Sequence, residues 1–254
     1  MKMKKIVLML ACLISNAVFA DERGAIRAQL EPIGFLYGFG LGVNKEIYKG
    51  YDRRVIPLPI IGYRSEDLTV YGPFVSYEML ELKDIEFQVQ LSPRFQGFDE
   101  SDSDIFIGMD ERKFSMDAGL SAKYERQNWK INLSAMHDIL NKSNGYELSA
   151  QLGRAFKSGP VFFEPNISVS YLDSKHVDYY YGVGAHEAAN FRPQFTGDSA
   201  LNSAVGIAIS TPIFFGGFTQ LAIDYNWFDD SITDSPLVED DTNISFRLLF
   251  SKFF

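Results

Sequence analysis

From Phe35 to the last residue, apolar side chains alternate with polar or small ones in short runs separated by turn-forming residues. Phe35, Tyr37, Phe39, Leu41 and Val43 interleave with Gly34, Gly38, Gly40 and Gly42. Ile85, Phe87, Val89, Leu91 and Phe95 alternate in the same way, as do Phe114, Met116, Ala118, Leu120, Ala122 and Tyr124. Trp129, Ile131, Leu133, Ala135 and Ile139 follow a tight connection at Gln127-Asn128, and Tyr146, Leu148, Ala150 and Leu152 come next. Successive side chains on a strand point to opposite faces, so each run predicts a strand with one apolar face. Further strands are predicted over residues 54–63, 68–77, 161–172, 205–209 and 221–227, and no amphipathic helix stands out. The strand at 54–63 carries Pro57 and Pro59, two residues apart. Their missing N–H groups leave it irregular or edge-like on one side.

The terminal residues, Asn243 to Phe254, decide where these faces lie. Ile244, Phe246, Leu248, Phe250 and Phe254 share one face, and Ser245, Arg247 and Ser251 the other. A chain-ending strand this apolar would aggregate in water. On the lipid-facing wall of a closed barrel the same face is required, because every backbone group must pair and the outside must be apolar. The terminal Phe254 is similar to the C-terminal signature of bacterial outer-membrane barrels, which implies the barrel assembly machinery as a partner and Phe254 as its assembly signal. Lys252 departs from that signature, where an aromatic is commoner, and can snorkel to the headgroups near the rim. With the terminal strand the runs number eleven. Bacterial single-chain barrels have an even number of strands with both ends in the periplasm, so one strand is missed, merged or invented, in the first third of the chain. The expectation is an all-β transmembrane antiparallel up-and-down β-barrel of twelve strands, with ten as the alternative.

The other end of the chain carries Lys2, Lys4 and Lys5, an apolar run from Ile6 to Ile14, and small residues at Val18 and Ala20. That is the pattern of a secretory signal peptide over residues 1–20, leaving residues 21–254 as a single barrel domain. The one cysteine, Cys12, lies inside this segment. Leu10-Ala11-Cys12 faintly resembles a lipoprotein site, but Met9 stands where Leu is usual and the apolar run continues past Cys12. The exported chain is therefore expected to hold no disulfide and no thiol chemistry.

Composition narrows the partners. Without the three signal lysines, 21 basic residues face 33 acidic ones, a net charge of −12, which argues against nucleic acid. Aromatics reach 15% while no apolar run approaches the length of a spanning helix. A membrane barrel has this balance, because half of each strand faces inward and stays polar. A soluble periplasmic sandwich shares the alternation but does not explain the terminal aromatic strand. If that strand runs toward the periplasm, residues 229–242, 173–200 and 96–112 become external loops and residues 214–217 a periplasmic turn. The barrel's surroundings are then outer-membrane lipid and lipopolysaccharide.

Several segments, in order along the chain, resemble the MipA/OmpV family of outer-membrane proteins. They are Gly50-Tyr51-Asp52 leading into Val55-Ile56-Pro57-Leu58-Pro59, then Gly108-Met109-Asp110-Glu111-Arg112-Lys113, and Ser143-Asn144-Gly145. Asp178-Tyr179-Tyr180-Tyr181-Gly182-Val183 follows, with Glu187-Ala188, Arg192 and Phe195, and last Asp234-Ser235-Pro236-Leu237-Val238. The resemblance implies a membrane scaffold that bridges a lytic transglycosylase and a bifunctional penicillin-binding protein. It carries no catalytic residue across.

Candidate chemistry is sparse. Asp99, Glu100, Asp102 and Asp104 cluster in one external loop and Asp229, Asp230, Asp234, Glu239, Asp240 and Asp241 in another. The first set lacks the glycine and distal glutamate of a calcium loop, so solvated charge, bridged to lipopolysaccharide by loosely held divalent ions, is the reading adopted. His137 lies near Ser134 and Asp138, but neighbours on a strand point to opposite faces and cannot form a triad. His137, His176 and His186 read as lone surface histidines, and no enzyme, cofactor or metal is expected. Tyr179, Tyr180 and Tyr181, with Arg192 and Phe195 after them, either fold inward to narrow the lumen, form an adhesive patch, or belong to the outer aromatic girdle. Arg154, Asp224, Asn226 and Arg247 are the candidate lumen-lining residues. The expected functions are a non-enzymatic scaffold, using its periplasmic turns or the 21–32 arm, a small pore or uptake channel, or an adhesin acting through external loops.

Overall fold

The computed structural model describes residues 32–254; the signal segment, Cys12 and nearly all of the 21–32 arm lie outside the described residues. Thirteen strands form one antiparallel sheet: β1 Gly34–Lys45, β2 Arg53–Arg64, β3 Leu68–Tyr71, β4 Phe74–Leu82, β5 Ile85–Arg94, β6 Ser115–Arg126 and β7 Trp129–Asp138. They continue with β8 Tyr146–Arg154, β9 Phe156–Ser158, β10 Val161–Leu172, β11 Ala200–Thr211, β12 Phe218–Trp227 and β13 Thr242–Phe253. β8 and β9 pair along the same edge of β10 and are interrupted only at Ala155, so together they make one stave. Pro165 of β10 sits opposite this break, where its missing N–H disturbs no ladder. The result is a closed barrel of twelve antiparallel staves, sealed where β1 pairs with β13 from Leu36↔Phe253 to Asn44↔Ser245.

The strand missing from the sequence pattern lies where it was expected. Residues 68–77 are not one strand but parts of two, β3 and β4, folded back at Gly72-Pro73 with Gly72 at φ +57°. A glycine at positive φ at the first central position is the preferred start of a two-residue hairpin turn. The fold-back conceals itself because apolar residues continue on both sides of it.

The barrel is apolar outside and, away from the inner face of β2, largely polar inside. Phe39 (49% exposed), Ile61 (80%) and Leu120 (56%) stand on the outer parity of their strands, whereas the lumen parity carries ion pairs. Lys130 Nζ lies 2.6 Å from Glu164 and Arg94 Nη2 2.8 Å from Glu147, with Asp117 also on Arg94. Such an exterior is stable only when hydrocarbon wets it.

Connections at one end are short, at residues 83–84, 127–128 and 159–160; those at the other end are long, at 95–114, 173–199 and 228–241. The long ones, with residues 46–52, hold the protein's buried hydrophobic cluster. Strand faces turned to lipid cannot form a core, so the core sits in the external loops.

Candidate functional site

The external loops fold into one cap organised around the helix α1, Ser174–Tyr181. Asp173 caps its start by accepting the His176 N–H, and the Gly182 N–H closes its end on the Asp178 carbonyl. The last carbonyls of a helix have no partner within it. Here three successive ones are taken by three different loops. Arg112 Nε donates to the Tyr179 carbonyl at 2.7 Å, the Tyr48 hydroxyl to that of Tyr180 at 3.1 Å, and the Ser235 hydroxyl to that of Tyr181 at 2.6 Å. Tyr181 also stacks on Tyr48 at 5.4 Å, and Phe98 stacks on Phe106 at 3.8 Å.

The tyrosine run therefore belongs neither to the girdle nor to an adhesive surface. Tyr180 and Tyr181 are buried in the cap, and Tyr179 is partly buried and accepts the Lys113 N–H with its hydroxyl. Arg192 is buried too, donating to the carbonyls of Glu187, Ile105 and Ile107. Sequence reasoning missed Glu187 as a latch. Its Oε2 accepts from Arg112 Nη2 and the Gly184 N–H, both at 2.8 Å, while its Oε1 accepts the Asp110 N–H at 2.9 Å. Burial alone would raise its pKa, but these donors outweigh burial and hold it at about 2. Among the described residues Asp110, His186 and Glu187 form one cluster with metal-ligand geometry. Glu187 Oε2 accepts two hydrogen bonds and Oε1 one, and His186 Nε2 is 2.8 Å from Asp110, so the contacts present cross-link the cap.

Beneath the cap lies a lumen cavity of about 970 Å3, large for a ligand pocket. Its roof includes Ile47, Gln96, His176 and Tyr181; Arg64 and Phe218 lie toward the short-turn end. Asp224 and Arg247 line it, bonded to each other at 2.8 Å. Asn226, on the same parity as Asp224, pairs with the cavity-lining Asn243 at 2.7 Å. Arg154 does not belong to this set. It continues the outward series of Tyr146 and Leu148, and its guanidinium lies over the rings of Trp129 and Phe156 at 5.1 and 5.4 Å. There it serves as a rim cation on the lipid side, with its stem along apolar surface.

The histidines also divide. His137 is outward-facing, whereas Asp138 points inward and accepts from Ser115, Leu140, Lys142, Ser143 and Asn144. No triad forms between them. His176 is not on the surface: it is 1% exposed, its ring 5.1 Å from Tyr180, and its Nε2 has no hydrogen-bond partner. Burial, then the nearby Arg94 cation, push its pKa down to about 3, with Asp138 opposing. A histidine kept neutral in the closed cap stabilises it fully above the ordinary value of 6.5, and that stabilisation fades as pH falls from 6.5 toward about 3. Acidification to pH 5 is expected to weaken the closed cap by on the order of 2 kcal/mol. Protease sensitivity of the loops against pH checks this; a His176→Leu variant should lose the dependence above pH 5, and an unchanged profile in that variant would refute it.

Phe254 ends the wall at the short-turn rim, donating its N–H to the Phe35 carbonyl at 3.0 Å and lying 6.2 Å from the Phe35 ring.

Comparison with known proteins places this architecture. The MltA-interacting protein of Escherichia coli strain K12 is 27% identical over 235 residues, covering 91% of this chain and 93% of the relative. Outer membrane protein Omp26La of Vibrio anguillarum is 26% identical over 201 residues, covering 77% of each. Among solved structures, the outer membrane protein OprD of Pseudomonas aeruginosa aligns at 10% identity with a TM-score of 0.36, over 86% of this chain and 64% of that one. The relatives are named as interacting or outer-membrane proteins, and an outer-membrane location agrees with the hydrocarbon-facing wall. The family model for MltA-interacting protein MipA matches residues 37–254, and the chain belongs to that family of outer-membrane barrels.

Proposed function

We propose that this barrel is a non-enzymatic anchor that holds a lytic transglycosylase, and through it a bifunctional penicillin-binding protein, at the inner rim of the outer membrane. The observation that carries the reading is the family assignment over residues 37–254, together with a relative named for that interaction across 91% of this chain. The shape is compatible with an anchor. The external mouth is covered by a cap with its own core, and the barrel wall is predominantly apolar outside.

Among the described residues the connection between β11 and β12 is an exposed apolar stretch of the periplasmic rim, with the Phe215 ring 6.2 Å from that of Phe250 on the outer wall. Phe215 there is 85% exposed, beside Ile213 and Phe214. An exposed aromatic beside short turns is the kind of anchor that carries binding energy in a small interface. Purified barrel in lipid nanodiscs is expected to retain a purified lytic transglycosylase, and Phe215→Ser to reduce retention by about ten-fold. Failure of the unaltered barrel to retain the transglycosylase would overturn the scaffold reading. The cavity beneath the cap supports a second reading, a small uptake barrel, in which the capped mouth gives little conductance until the cap opens.

A further inference from the structure

The barrel wall has an opening in its outer half. β2 pairs with β1 along its whole length, but with β3 only over Gly62↔Tyr71 to Arg64↔Thr69. β4 likewise reaches β5 only as far as Val75↔Leu91. Above the Gly72-Pro73 turn, β2 and β5 face each other with no strand between them and no backbone hydrogen bond among the described residues. At the hairpin tip they are three strand spacings apart, roughly 14 Å. Arg54 draws them together at the top, donating to the carbonyls of Phe95 at 2.9 Å and of Gly97.

The backbone directions explain why this gap is tolerated. On an antiparallel strand, alternate residues turn N–H and C=O to alternate neighbours. The Phe254 N–H donates to Phe35, so the odd residues of β1 face β13 and the even ones face β2. The even residues of β2 thus face β1, and Pro57 and Pro59 face the gap; the bond from the Gly72 N–H to the Ile61 carbonyl agrees. On the far side, the Glu125 N–H donates to Asp84, which turns the odd residues of β6 to β5. Ser92, opposite Asp117, then faces β6, and Pro93 faces the gap. With Pro73 at the hairpin tip, four of the chain's ten prolines rim one opening, three of them with the missing N–H aimed into it. A gap edge in hydrocarbon would otherwise strand costly donors; here three of them do not exist.

Both surroundings of the opening are known. Outside, Phe39, Leu41, Val55 and Ile61 place it against hydrocarbon. Inside, Ile56, Leu58 and Ile60 make the adjoining cavity wall apolar, and Phe74 stands at the threshold, 6.5 Å from the Phe95 ring. The opposite wall is polar, with Glu147, Gln151, Glu164 and Asn166.

We propose that the gap between β2 and β5 is a lateral portal through which a single-chain amphiphile of the outer leaflet enters the lumen, its tail against β2 and its head toward the polar wall. This goes beyond the scaffold reading and stands without it.

The test uses the full chain with Cys12→Ser, in nanodiscs of phosphatidylethanolamine and phosphatidylglycerol, and dansyl-undecanoic acid as the amphiphile. Pro57→Cys and Pro93→Cys are combined and bridged by a flexible bismaleimide. The unaltered and unbridged chains are expected to take up the probe with enhanced emission, and bridging to slow entry by at least about ten-fold. Phe74→Ala, which widens the threshold, should accelerate entry. Retained heat-modifiable migration on a detergent gel shows that each barrel is closed. Equal entry rates with and without the bridge, or no uptake by the unaltered chain, would overturn the portal. Acceleration by an opened cap with no effect of the bridge would assign entry to the external mouth instead.

Discussion

Replacing Glu187 by alanine should open the external cap while leaving the barrel closed. The carboxylate is 2% exposed and joins Arg112, Gly184 and Asp110. Its removal leaves the Arg112 guanidinium, which also holds the α1 terminus through Tyr179, without its buried counter-charge. Breaking a buried pair by deleting one partner costs about 3–5 kcal/mol, enough to loosen the 95–114 and 173–199 loops that meet at this carboxylate. Trypsin added to intact proteoliposomes should then cut within residues 95–114 and 173–199, and planar-bilayer conductance should rise above that of the unaltered protein. Heat-modifiable migration should persist, because the staves do not depend on the latch. Loops that stay resistant with conductance unchanged would show that the cap does not close on Glu187. The pH response has a defined sign. A carboxyl held at about 2 against an ordinary 4.5 stabilises the cap fully above 4.5, and that contribution disappears as pH falls from 4.5 toward 2. It sets in at lower pH than the His176 effect, so the range between 6.5 and 4.5 reads His176 without Glu187, and the two overlap below 4.5.

At the seam, Gly38→Ala is expected to prevent barrel closure. Gly38 pairs with Ser251, and a Cβ at Gly38 would lie 1.8 Å from the Phe250 carbonyl oxygen and 2.9 Å from the Ser251 Cα. Those atoms belong to the backbone of the partner strand and cannot rotate aside, so β1 and β13 must separate locally. A cost of about 3 kcal/mol or more follows at a junction that joins the two ends of the barrel. Gly40, two residues on, is the control. Its Cβ would meet Leu58 at 3.5 Å and Ile60 at 3.6 Å, ordinary contacts with side chains, so Gly40→Ala should change stability by less than ~1 kcal/mol. Detergent-gel migration before and after heating, with urea unfolding in detergent, distinguishes the two. Equal behaviour of both variants would show that the seam tolerates separation.

Particular residues show where sequence reading succeeds. Phe246 and Ser245 reveal the two faces of β13 because that contrast repeats every second residue. Pro57 and Pro59 disclosed an unpaired side of β2, since a missing donor restricts any strand that contains it. Arg154 reads as a lumen residue because it is polar, although Tyr146, Leu148 and Leu152 on the same parity point it outward. That signal was present. His176 and Glu187 offered no such signal, because their burial depends on segments far away in the chain: the Arg94 strand for the first, Arg112 and Asp110 for the second.

The amino-acid order by itself therefore determined the wall: its alternation, its lipid-facing exterior and its edge at the prolines. These are local properties, written in a period of two and in the presence or absence of one N–H. Only the tertiary structure decided the cap and the cavity below it. Their contacts join aperiodic loops, and the three carbonyls at the end of α1 accept donors chosen by approach in space rather than by spacing along the chain.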